Sequence, residues 1–486
     1  MACVLTALLA GWVAPEAVPA LQVEGLALDS REVTPGQVFL AFQGHREHGL
    51  AHAGQAAAAG AVAILYEPAG WASPLPEPGI PLLPLPGLAA LAGAIADRFH
   101  QHPSSALSVV AVTGTNGKTT TTHFIAQALG AEAGVVGTLG WGRSAALQPT
   151  RNTTPSALQL QGYLAALRDA GCHVAAIEAS SHGLCEHRLA ACRVRVAVLT
   201  NFTRDHLDYH GTFEAYVAAK LSLLDQPGLE TMVWNHDDPL CRAKLAQGYG
   251  TLRSLPYSLK GEGDAAVLRA TSLEMAEAGV RMTVVMGEAQ ALLQAPVVGW
   301  CNAENALAAC AVLLALGYPL ADAVQRLAHL RPVAGRMQSL LVQGVTAVID
   351  YAHTPDALER VLADLRRVSR GRLVAVLGCG GNRDPGKRPA MGRIATLGAD
   401  HVVLTDDNPR HEDPAAIIAD MLAGCSAEAS LEVIHDRREA IAAALKRCQP
   451  GDLLLVAGKG HETTQEKAGV FYPHSDLETL MNLTQN

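Results

Sequence analysis

The strongest chemical motif in the sequence is a glycine-rich turn, which predicts a nucleotide-binding loop. It follows the apolar run at residues 109–113 and reads Gly114-Thr115-Asn116-Gly117-Lys118-Thr119-Thr120. Backbone N–H groups at such glycines can surround phosphate oxygens, and the N-terminus of the next helix adds a favourable dipole. We expect Lys118 to contact the β- and γ-phosphates and Thr119 to hold Mg²⁺. The usual motif has glycine where Val112 stands, and a plain turn before a helix is the alternative.

The last third of the chain holds a second set of polar segments, each placed directly after an apolar run. Five apolar runs alternate there with helical patterns, at residues 346–350, 372–378, 401–405, 431–435 and 452–458. This alternation predicts a parallel, doubly wound sheet. Four of the runs lead into polar residues, namely Tyr351 to His353, Gly380 to Asp384, Asp406 to Arg410 and Gly458 to Glu462. Because ligands bind at the carboxyl ends of parallel strands, we expect one binding site along that edge.

A glycine pattern within that edge, from Gly381 to Lys387, has spacing similar to that of a second phosphate loop. Arg388 stands where the motif needs Ser or Thr, and Pro389 follows immediately. We therefore interpret this segment as a basic edge that binds an anion, and not as a second nucleotide site.

Three α/β domains are expected from the order of apolar runs, prolines and glycines. Residues 102–105 resemble a linker before the next strand, and a helical stretch from Asn302 to His329 ends before a segment with proline and glycine. The central domain is predicted to hold a P-loop ATPase-like parallel sheet, and the last domain a Rossmann-like doubly wound sheet. The expected domains are residues 1–105, 106–330 and 331–486.

Composition and charge exclude several classes of protein. The chain has 486 residues, of which 49% are hydrophobic, 17% charged and 4% aromatic, and its net charge is −9. Such a chain can bury full cores, and it lacks the basic or aromatic surfaces of nucleic-acid-binding and membrane-surface proteins. The uncharged run 78–96 is long enough to span a bilayer, but prolines break it. We interpret it as a loop followed by a short helix.

The cysteines and the N-terminal segment favour a cytoplasmic protein. The ten cysteines form no C-x-x-C pair, so we expect reduced, buried thiols and not disulfides or zinc ligands. The apolar N-terminal segment has its first basic residue at Arg31 and therefore lacks the charged start of a signal peptide. We expect a soluble monomer in the cytoplasm, with no nucleic-acid or membrane partner.

Taken together, the motifs resemble those of the ATP-dependent Mur ligases of peptidoglycan (cell wall) biosynthesis. The phosphate loop has that family's form, Val112 included. Similar segments occur through nearly the whole chain: Glu178 to Gly183, Thr200 to Gly211, Asn302 to Asn305, Gly335 to Met337 and Asp350 to Pro355. Asp407-Asn408-Pro409-Arg410 resembles the signature of members that use meso-2,6-diaminopimelate instead of lysine. The resemblance implies that this amino acid is joined to UDP-N-acetylmuramoyl-L-alanyl-D-glutamate, with ATP converted to ADP and phosphate.

The same resemblance implies which residues bind ATP and metal. ATP is expected to contact the phosphate loop together with Asn302, Arg336 and Asp350. The matching catalytic positions are Lys118, Lys220, Arg336 and His353. Two Mg²⁺ ions are expected, and the implied ligands are Thr119, Glu178, His206 and Lys220, the last as a carbamate formed with CO₂. The residues alone leave open a surface lysine at Lys220, a capping carboxylate at Glu178 and a structural His206.

Substrate contacts are implied in the same way. The UDP-muramoyl dipeptide is expected to contact Leu28, Ser30, His45, Arg46, Glu47, Asn152, Thr153, Thr154, Ser180 and Arg188. Diaminopimelate is expected to contact Arg383, Asp407, Asn408, Pro409, Arg410, Gly458 and Glu462. A guanidinium suits its distal carboxylate and an acidic side chain suits its distal ammonium. Glu186 stands where a glutamine is familiar in the family, and we leave it out of the predicted site.

Two other functions remain open. A folylpolyglutamate synthetase of the same superfamily would share the phosphate loop and the modified lysine, but the segments Asp407 to Arg410 and Leu28 to Arg31 favour the muramoyl-peptide ligase. A nucleotide switch that controls partner proteins would hydrolyse ATP or GTP without any second substrate.

Overall fold

The computed structural model describes residues 2–44, 47–276 and 279–484. Its strands are β1 Cys3–Val4, β2 Gln22–Val23, β3 Gly25–Ala27, β4 Gln37–Ala41, β5 Ala63–Tyr66, β6 Leu82–Pro84, β7 Ser108–Thr113, β8 Ala133–Gly137, β9 Gly140–Arg143, β10 Ala146–Gln148, β11 Val174–Glu178, β12 Val194–Leu199, β13 Thr231–Asn235, β14 Arg253–Ser258, β15 Leu268–Ala276, β16 Gly279–Met286, β17 Ala289–Ala295, β18 Gln338–Val342, β19 Val345–Asp350, β20 Leu373–Leu377, β21 His401–Leu404, β22 Leu431–Val433, β23 Leu453–Ala457, β24 Thr464–Lys467 and β25 Val470–Pro473.

The α-helices are α1 Leu5–Leu8, α2 Ala53–Ala58, α3 Leu88–Phe99, α4 Lys118–Leu129, α5 Ala157–Asp169, α6 Ser181–Cys185, α7 Leu207–His210, α8 Phe213–Leu221, α9 Pro239–Leu245, α10 Trp300–Ala315, α11 Leu320–Leu327, α12 Pro355–Val368, α13 Lys387–Gly398, α14 Pro414–Leu422, α15 Arg437–Arg447 and α16 Asp476–Thr484. Short 3₁₀ helices lie at Pro15–Ala17, Gly49–His52, Pro103–Ser105, Gly130–Glu132 and Ser222–Asp225.

These elements form two compact units. The first contains the chain up to Thr113 together with Gly130–Ala197 and Ala218–Thr231. The second contains Gly114–Leu129, Val198–Val217 and the chain from Met232 onward.

The N-terminal part of the first unit is a four-stranded parallel sheet in the order β3-β4-β5-β6. Successive residues of β4 enter two different cores, Val38 and Leu40 on one face and Phe39 on the other. This alternation is expected of a strand that is covered on both faces. The start of α3 is fixed by the Glu67 carboxylate, which accepts hydrogen bonds from the N–H groups of Gly87 and Leu88 at 2.6 and 3.0 Å.

A second group of strands in the first unit positions two predicted site segments. β11 pairs in parallel with both β7 and β8, and β9 and β10 extend the sheet in antiparallel fashion. Val112 at the end of β7 lies opposite Glu178 at the end of β11. The carboxyl ends of two neighbouring strands therefore lead into the glycine-rich turn and the predicted metal ligand, as a parallel arrangement requires.

In the second unit, the sheet at the C-terminal end has the order β18-β19-β23-β20-β21-β22, and every pair except the antiparallel β18–β19 is parallel. Leu373, Ala375 and Leu377 of β20 pack into a core with α12, α13 and α14, whereas Val374 and Val376 pack with α15 and α16. Helices thus cover both faces. The prediction of an α/β protein with a doubly wound C-terminal sheet is confirmed.

Two of the sequence-based expectations are wrong in detail. The helical stretch from Asn302 to His329 consists of two helices, because α10 ends before Gly317, whose φ is +100°, and α11 begins after Pro319. Glycine at a helix C-terminus and proline just beyond it are the usual signals for such a stop. The segment 78–96 contains the short parallel strand β6 before α3, and is not simply a loop followed by a helix.

Two further findings concern the thiols and hydropathy. All ten cysteines are free, as expected, but only five of them are buried. The expectation of buried thiols does not hold for the exposed Cys185 or for the half-buried Cys3, Cys301, Cys425 and Cys448. Within the described ranges, none of the helices is both long and apolar enough to cross a bilayer. The boundaries proposed near residues 105 and 331 stay predictions.

Candidate active site

The glycine-rich turn has a backbone conformation that requires its glycines. Gly114 and Gly117 have φ values of +145° and +86°, in the region that favours glycine. A Cβ atom at Gly114 would collide with the Thr200 hydroxyl, and one at Gly117 would collide with the Asn305 side chain. The turn leads directly into α4, whose first residue is Lys118. A glycine turn at a helix N-terminus is the arrangement that binds phosphate in many proteins.

A second loop holds the turn in place through hydrogen bonds within the second unit. Thr115 donates its N–H to the carbonyl oxygen of Asn201 at 2.8 Å, and Asn116 donates its N–H to Asn201 Oδ1 at 2.9 Å. The Thr115 hydroxyl lies 2.9 Å from the hydroxyl of the buried Tyr216. The conformation of the turn is therefore set by the protein itself, and a phosphate need not organise it on binding.

The predicted phosphate residues lie together at this turn. Lys118 Nζ donates to the carbonyl oxygens of Gly114 and Thr115, both at 2.9 Å, so the ammonium lies against the turn. Thr119 and Thr120 are buried in the first turn of α4. Arg336 Nη2 lies 3.5 Å from Thr119 Oγ1. The structure therefore places Arg336, which we predicted to contact ATP, next to the phosphate loop.

Arg336 is held by its neighbours in the C-terminal part of the chain. Its guanidinium carbon lies 4.4 Å from the centre of the Tyr351 ring, a cation–π contact. Asp350 is buried, and its Oδ2 accepts a hydrogen bond from the Met337 N–H at 2.8 Å. Burial raises the pKa of Asp350, and the nearby Arg336 charge opposes that rise. Asp350 thus fixes the backbone beside Arg336, and its contact with ATP stays a prediction.

Two further predicted residues have local partners. Asn302 is buried in α10 and donates from Nδ2 to the Val298 carbonyl oxygen at 2.9 Å. Asn305, which we had not assigned, accepts from the Thr121 hydroxyl at 3.2 Å and lies behind the phosphate turn. His353 is exposed, with Nδ1 2.8 Å from the Tyr351 carbonyl oxygen. The roles of Asn302 and His353 stay predictions.

The first unit brings several predicted residues together around Glu178. This carboxylate is 1% exposed, and its Oε1 accepts from the Thr138 N–H at 2.7 Å. The Thr138 hydroxyl also lies 3.0 Å from that of Thr153. Thr154 donates its hydroxyl to the Glu178 carbonyl oxygen at 2.7 Å, and accepts from the Ser180 N–H at 2.9 Å. A polar cluster therefore lies at the carboxyl end of β11.

Further residues that are predicted to contact the UDP-muramoyl dipeptide lie in the N-terminal part of the first unit. The buried Ser30 donates its hydroxyl to Gln55 Oε1 at 2.9 Å. Arg151 and Glu32 form an ion pair of 2.6 Å, which joins the loop of the exposed Asn152 to the segment that contains Ser30. Leu28 is half-buried and Glu47 is exposed, whereas His45 and Arg46 lie outside the described residues.

Arg188 is already paired with a carboxylate. Its Nε and Nη2 donate to Glu186 Oε2 at 2.9 and 2.5 Å, and its Nη1 donates to the Thr154 carbonyl oxygen at 2.7 Å. We had left Glu186 out of the predicted site. The structure places it against the arginine that we assigned to the substrate, so an incoming carboxylate has to share or displace this pair.

The remaining predicted metal ligands differ in burial. Lys220 is 1% exposed, so the alternative of an ordinary surface lysine is wrong. His206 has a side chain that is 45% exposed, with Nε2 3.4 Å from Asp205 Oδ2. In the described parts of the chain, no group of three or more His, Cys, Asp or Glu side chains is arranged to hold a metal ion. The predicted set contains only two residues of those types, and it stays a prediction.

The polar segments that follow the C-terminal strands meet at one edge of the sheet. Asn408 Nδ2 donates to Glu462 Oε2 at 2.9 Å. The Gly381 N–H donates to the Asn408 carbonyl oxygen at 2.9 Å, and the Gly458 N–H donates to the Asp350 carbonyl oxygen at 3.0 Å. Segments after β19, β20, β21 and β23 are therefore joined, as the parallel topology requires.

The residues predicted to bind the amino acid occupy this edge. Asp407 and Pro409 are buried, and a Cβ atom at Gly458 would lie 2.7 Å from Asp407 Oδ2. Arg410 Nη1 donates to the Gly381 carbonyl oxygen at 2.7 Å, and Arg410 Nε lies 3.2 Å from Glu466 Oε2. Arg383 is exposed on the same segment after β20. Arg383 and Arg410 thus lie at the same edge of the sheet as the carboxyl groups of Asp407, Glu462 and Glu466.

Sequence reasoning missed several residues that build the site. Lys459 lies inside the polar segment after β23 and is fully buried, and Glu466 pairs with Arg410 from the β24 strand. Asn201 and Asn305 fix the phosphate turn. The segments that contain Lys459, Asn201 and Asn305 had been singled out, but residue type alone does not reveal whether a lysine is buried or which turn an asparagine supports.

Gly335 lets the segment that carries Arg336 come close to the loop after β23. That loop belongs to the edge of the sheet where the amino acid is expected to bind, which we call the amino-acid edge. Its φ is +63°, and a Cβ atom there would collide with the backbone of Gly460 and His461. We expect Gly335→Ala to lower the free energy of unfolding by about 2–4 kcal/mol, from overpacking and a strained φ together. Chemical denaturation measures this loss.

Gly130→Ala is the matched control for that variant. Gly130 has nearly the same φ, +61°, but no atom lies within 4 Å of the position that a Cβ would occupy. This substitution should lower the free energy of unfolding by only about 1 kcal/mol. Equal losses in the two variants would contradict the assigned packing of Gly335.

Comparisons with known proteins agree with the architecture and the motifs. Three family models match the chain: Mur ligase family, catalytic domain, at residues 22–100; Mur ligase middle domain, at 112–313; and Mur ligase, glutamate ligase domain, at 335–460. A UDP-N-acetylmuramoyl-L-alanyl-D-glutamate--2,6-diaminopimelate ligase of Alkalilimnicola ehrlichii is 47% identical over 470 residues, 94% of each chain. The protein of that name from Pseudomonas aeruginosa is 46% identical, over 96% of this chain and 95% of its own length.

A solved structure supports the same assignment. A UDP-N-acetylmuramoyl-L-alanyl-D-glutamate--2,6-diaminopimelate ligase superposes with a TM-score of 0.67 and 38% identity, over 95% of both chains. The three family models together match most of the chain. Relatives that are 46–47% identical to the chain cover 94–96% of it. The chain belongs to the Mur ligase family.

Proposed function

We propose that this protein is an ATP-dependent carboxylate–amine ligase that adds meso-2,6-diaminopimelate to UDP-N-acetylmuramoyl-L-alanyl-D-glutamate. Relatives that are 45–47% identical carry that name. The observation that supports it most directly is the amino-acid edge, where Arg410 and Glu462 could bind the two charged groups at the distal end of diaminopimelate. The same compact unit contains the phosphate loop.

The chemistry explains why such a site needs many cationic groups. A carboxylate does not react with an amine because oxide is a very poor leaving group, and transfer of the γ-phosphoryl group of ATP makes an acyl phosphate with a good one. The neutral amine then attacks, and phosphate leaves from a tetrahedral intermediate. Triphosphate, carboxylate and oxyanion are all negative, so fixed cations and dipoles must stabilise them.

Lys118 and Arg336 are the cations that we assign to this task. Lys118 already lies against the turn through two backbone carbonyl oxygens, and Arg336 lies at the first turn of α4. In phosphoryl transfer, a lysine and an arginine in such positions neutralise the charge that develops on the transferred group.

Mg²⁺ would supply further positive charge, and we assign ligands within each unit. In the first unit these are Glu178, a buried carboxylate, and Lys220 as a carbamate. In the second unit they are Thr119 and His206. Lys220 is 1% exposed, so a carbamate there would give a buried carboxylate, a group suited to Mg²⁺; only a neutral amine adds CO₂.

Carbamylation of Lys220 can be measured directly. In ¹³C-bicarbonate buffer the wild-type protein should show a carbamate carbon signal that is absent in Lys220→Gln, which keeps a polar side chain but has no amine. The variant should lose at least about tenfold to hundredfold in metal affinity or activity, because that is the usual cost of removing a residue that only orients a ligand, and here a ligand itself is missing. A wild-type enzyme with full activity and no carbamate signal would contradict the assignment.

One assay tests the proposed function against its rivals. Phosphate release from ATP should require both the UDP-muramoyl dipeptide and meso-diaminopimelate. A nucleotide switch would release phosphate without either compound, and a folylpolyglutamate synthetase would instead require a folate and glutamate. Release of phosphate at the full rate with nucleotide alone would exclude a ligase.

A further inference from the structure

Lys459 is a lysine at the amino-acid edge whose ammonium cannot touch a substrate directly. Its side chain is 0% exposed. Nζ donates to Glu462 Oε2 at 2.8 Å and to Asn408 Oδ1 at 3.0 Å. A buried ammonium is tolerated where it is paired and hydrogen-bonded. Any influence of Lys459 on the substrate must therefore act through these two residues, both of which we assigned to diaminopimelate.

Glu462 is held by only one of its two oxygens. Oε2 accepts from Lys459 Nζ and from Asn408 Nδ2, while no donor among residues 2–44, 47–276 and 279–484 contacts Oε1. The Glu462 side chain is 29% exposed, so a ligand can reach it. Burial tends to raise the pKa of this carboxyl group, but the charge of Lys459 and the two hydrogen bonds outweigh burial and lower it. One ionised oxygen is thus left for a ligand.

Asn408 is oriented by the same lysine. Its Oδ1 accepts from Lys459 Nζ and from the Glu466 N–H, the latter at 2.9 Å. Two donors on the oxygen require the amide nitrogen to face the other way, toward Glu462. Lys459 therefore fixes both the carboxylate and the amide that we expect to meet the amino-acid substrate.

We propose that Lys459 is a positioning residue that determines selectivity for the amino acid, because it anchors one oxygen of Glu462 and leaves the other to accept the distal ammonium of a diamino acid. This inference rests on the proposed function. Without Lys459, the Glu462 side chain can rotate and the Asn408 amide can change its orientation. Binding of the diamino acid then weakens, whereas ATP binding at the phosphate loop does not change.

A double-mutant cycle tests the proposal. Lys459→Met, Glu462→Gln and the double variant are compared by KM for meso-diaminopimelate, KM for ATP and kcat. We expect Lys459→Met to raise KM for diaminopimelate about 30-fold, with kcat and KM for ATP changed less than about threefold. In the Glu462→Gln background the same change should add no more than about twofold, because residues that act through one another are not additive.

The outcomes are distinguishable from failure of the proposed function. A wild-type protein that does not use diaminopimelate would refute the function itself. A wild-type protein that uses it, with additive effects in the cycle or equal rises in every KM, would overturn only the role of Lys459. Lys459→Gln is measured in parallel, and it takes the place of Lys459→Met in the cycle if the methionine variant does not fold. Lys446→Met, an exposed lysine near the end of α15, should leave all constants unchanged.

Discussion

Replacement of Lys118 by methionine is expected to lower kcat for ligation about 10³-fold, because a cation aimed at the transferred phosphoryl group typically contributes that much. Methionine keeps the length and much of the volume of the side chain but removes its charge. The two backbone carbonyl oxygens that now accept from Nζ belong to the buried residues Gly114 and Thr115, so the variant should also lose about 1–3 kcal/mol of unfolding free energy. Chemical denaturation measures that loss, and steady-state phosphate release measures the loss of kcat.

Two comparisons make the Lys118 result specific. Calorimetric binding of the UDP-muramoyl dipeptide should be unchanged, because its predicted contacts lie in the other compact unit. Lys244→Met, an exposed lysine in α9, should retain wild-type kcat. If Lys118→Met keeps kcat within tenfold of wild type, the phosphate loop does not perform the role that we assign to it.

Arg410→Ala is expected to lower the preference for meso-diaminopimelate over lysine about 10³-fold, since a site built to bind a polar group rejects an analogue without it by large factors. The two amino acids differ only in the distal carboxylate, which a guanidinium binds through parallel hydrogen bonds. Arg410 Nη1 already donates to the Gly381 carbonyl oxygen, and Nε lies near Glu466 Oε2. Arg410 Nη2 has no partner among the described residues. The ratio of kcat/KM values for the two amino acids measures the preference.

Arg410→Lys separates charge from geometry. It keeps a positive charge but has no planar fork, so we expect an intermediate preference. KM for ATP should stay within about twofold of wild type in both variants. Glu466 is partly exposed, so loss of its ion pair should lower the free energy of unfolding by at most about 1 kcal/mol. Full discrimination against lysine in Arg410→Ala would refute the assignment.

Features with a local physical cause could be predicted from the sequence. The glycine-rich turn and the start of α4 follow from residue types within a few positions of each other. The doubly wound C-terminal sheet follows from continuous apolar strands that alternate with helices. That topology also predicted that the polar segments after four strands would meet, and Asn408 contacts Glu462 and Gly381 as expected.

A prediction failed where two local signals competed. The apolar spacing between Asn302 and His329 continues across Gly317, which favoured one long helix. In the structure Gly317 N–H donates to Leu314 O, and Tyr318 N–H donates to Leu313 O, which closes α10 with a glycine in the left-handed region. Capping geometry therefore overrode the hydrophobic period.

Sequence alone determined the chemical groups and the strand ends that carry them, because motif spacing and strand topology are set by short-range residue patterns. Only the tertiary structure decided the burial of Lys220 and Lys459 and the pairing of Arg410 with Glu466. Burial and partner choice depend on residues far apart in the chain, and they set the charge and orientation of a side chain through desolvation and hydrogen bonding.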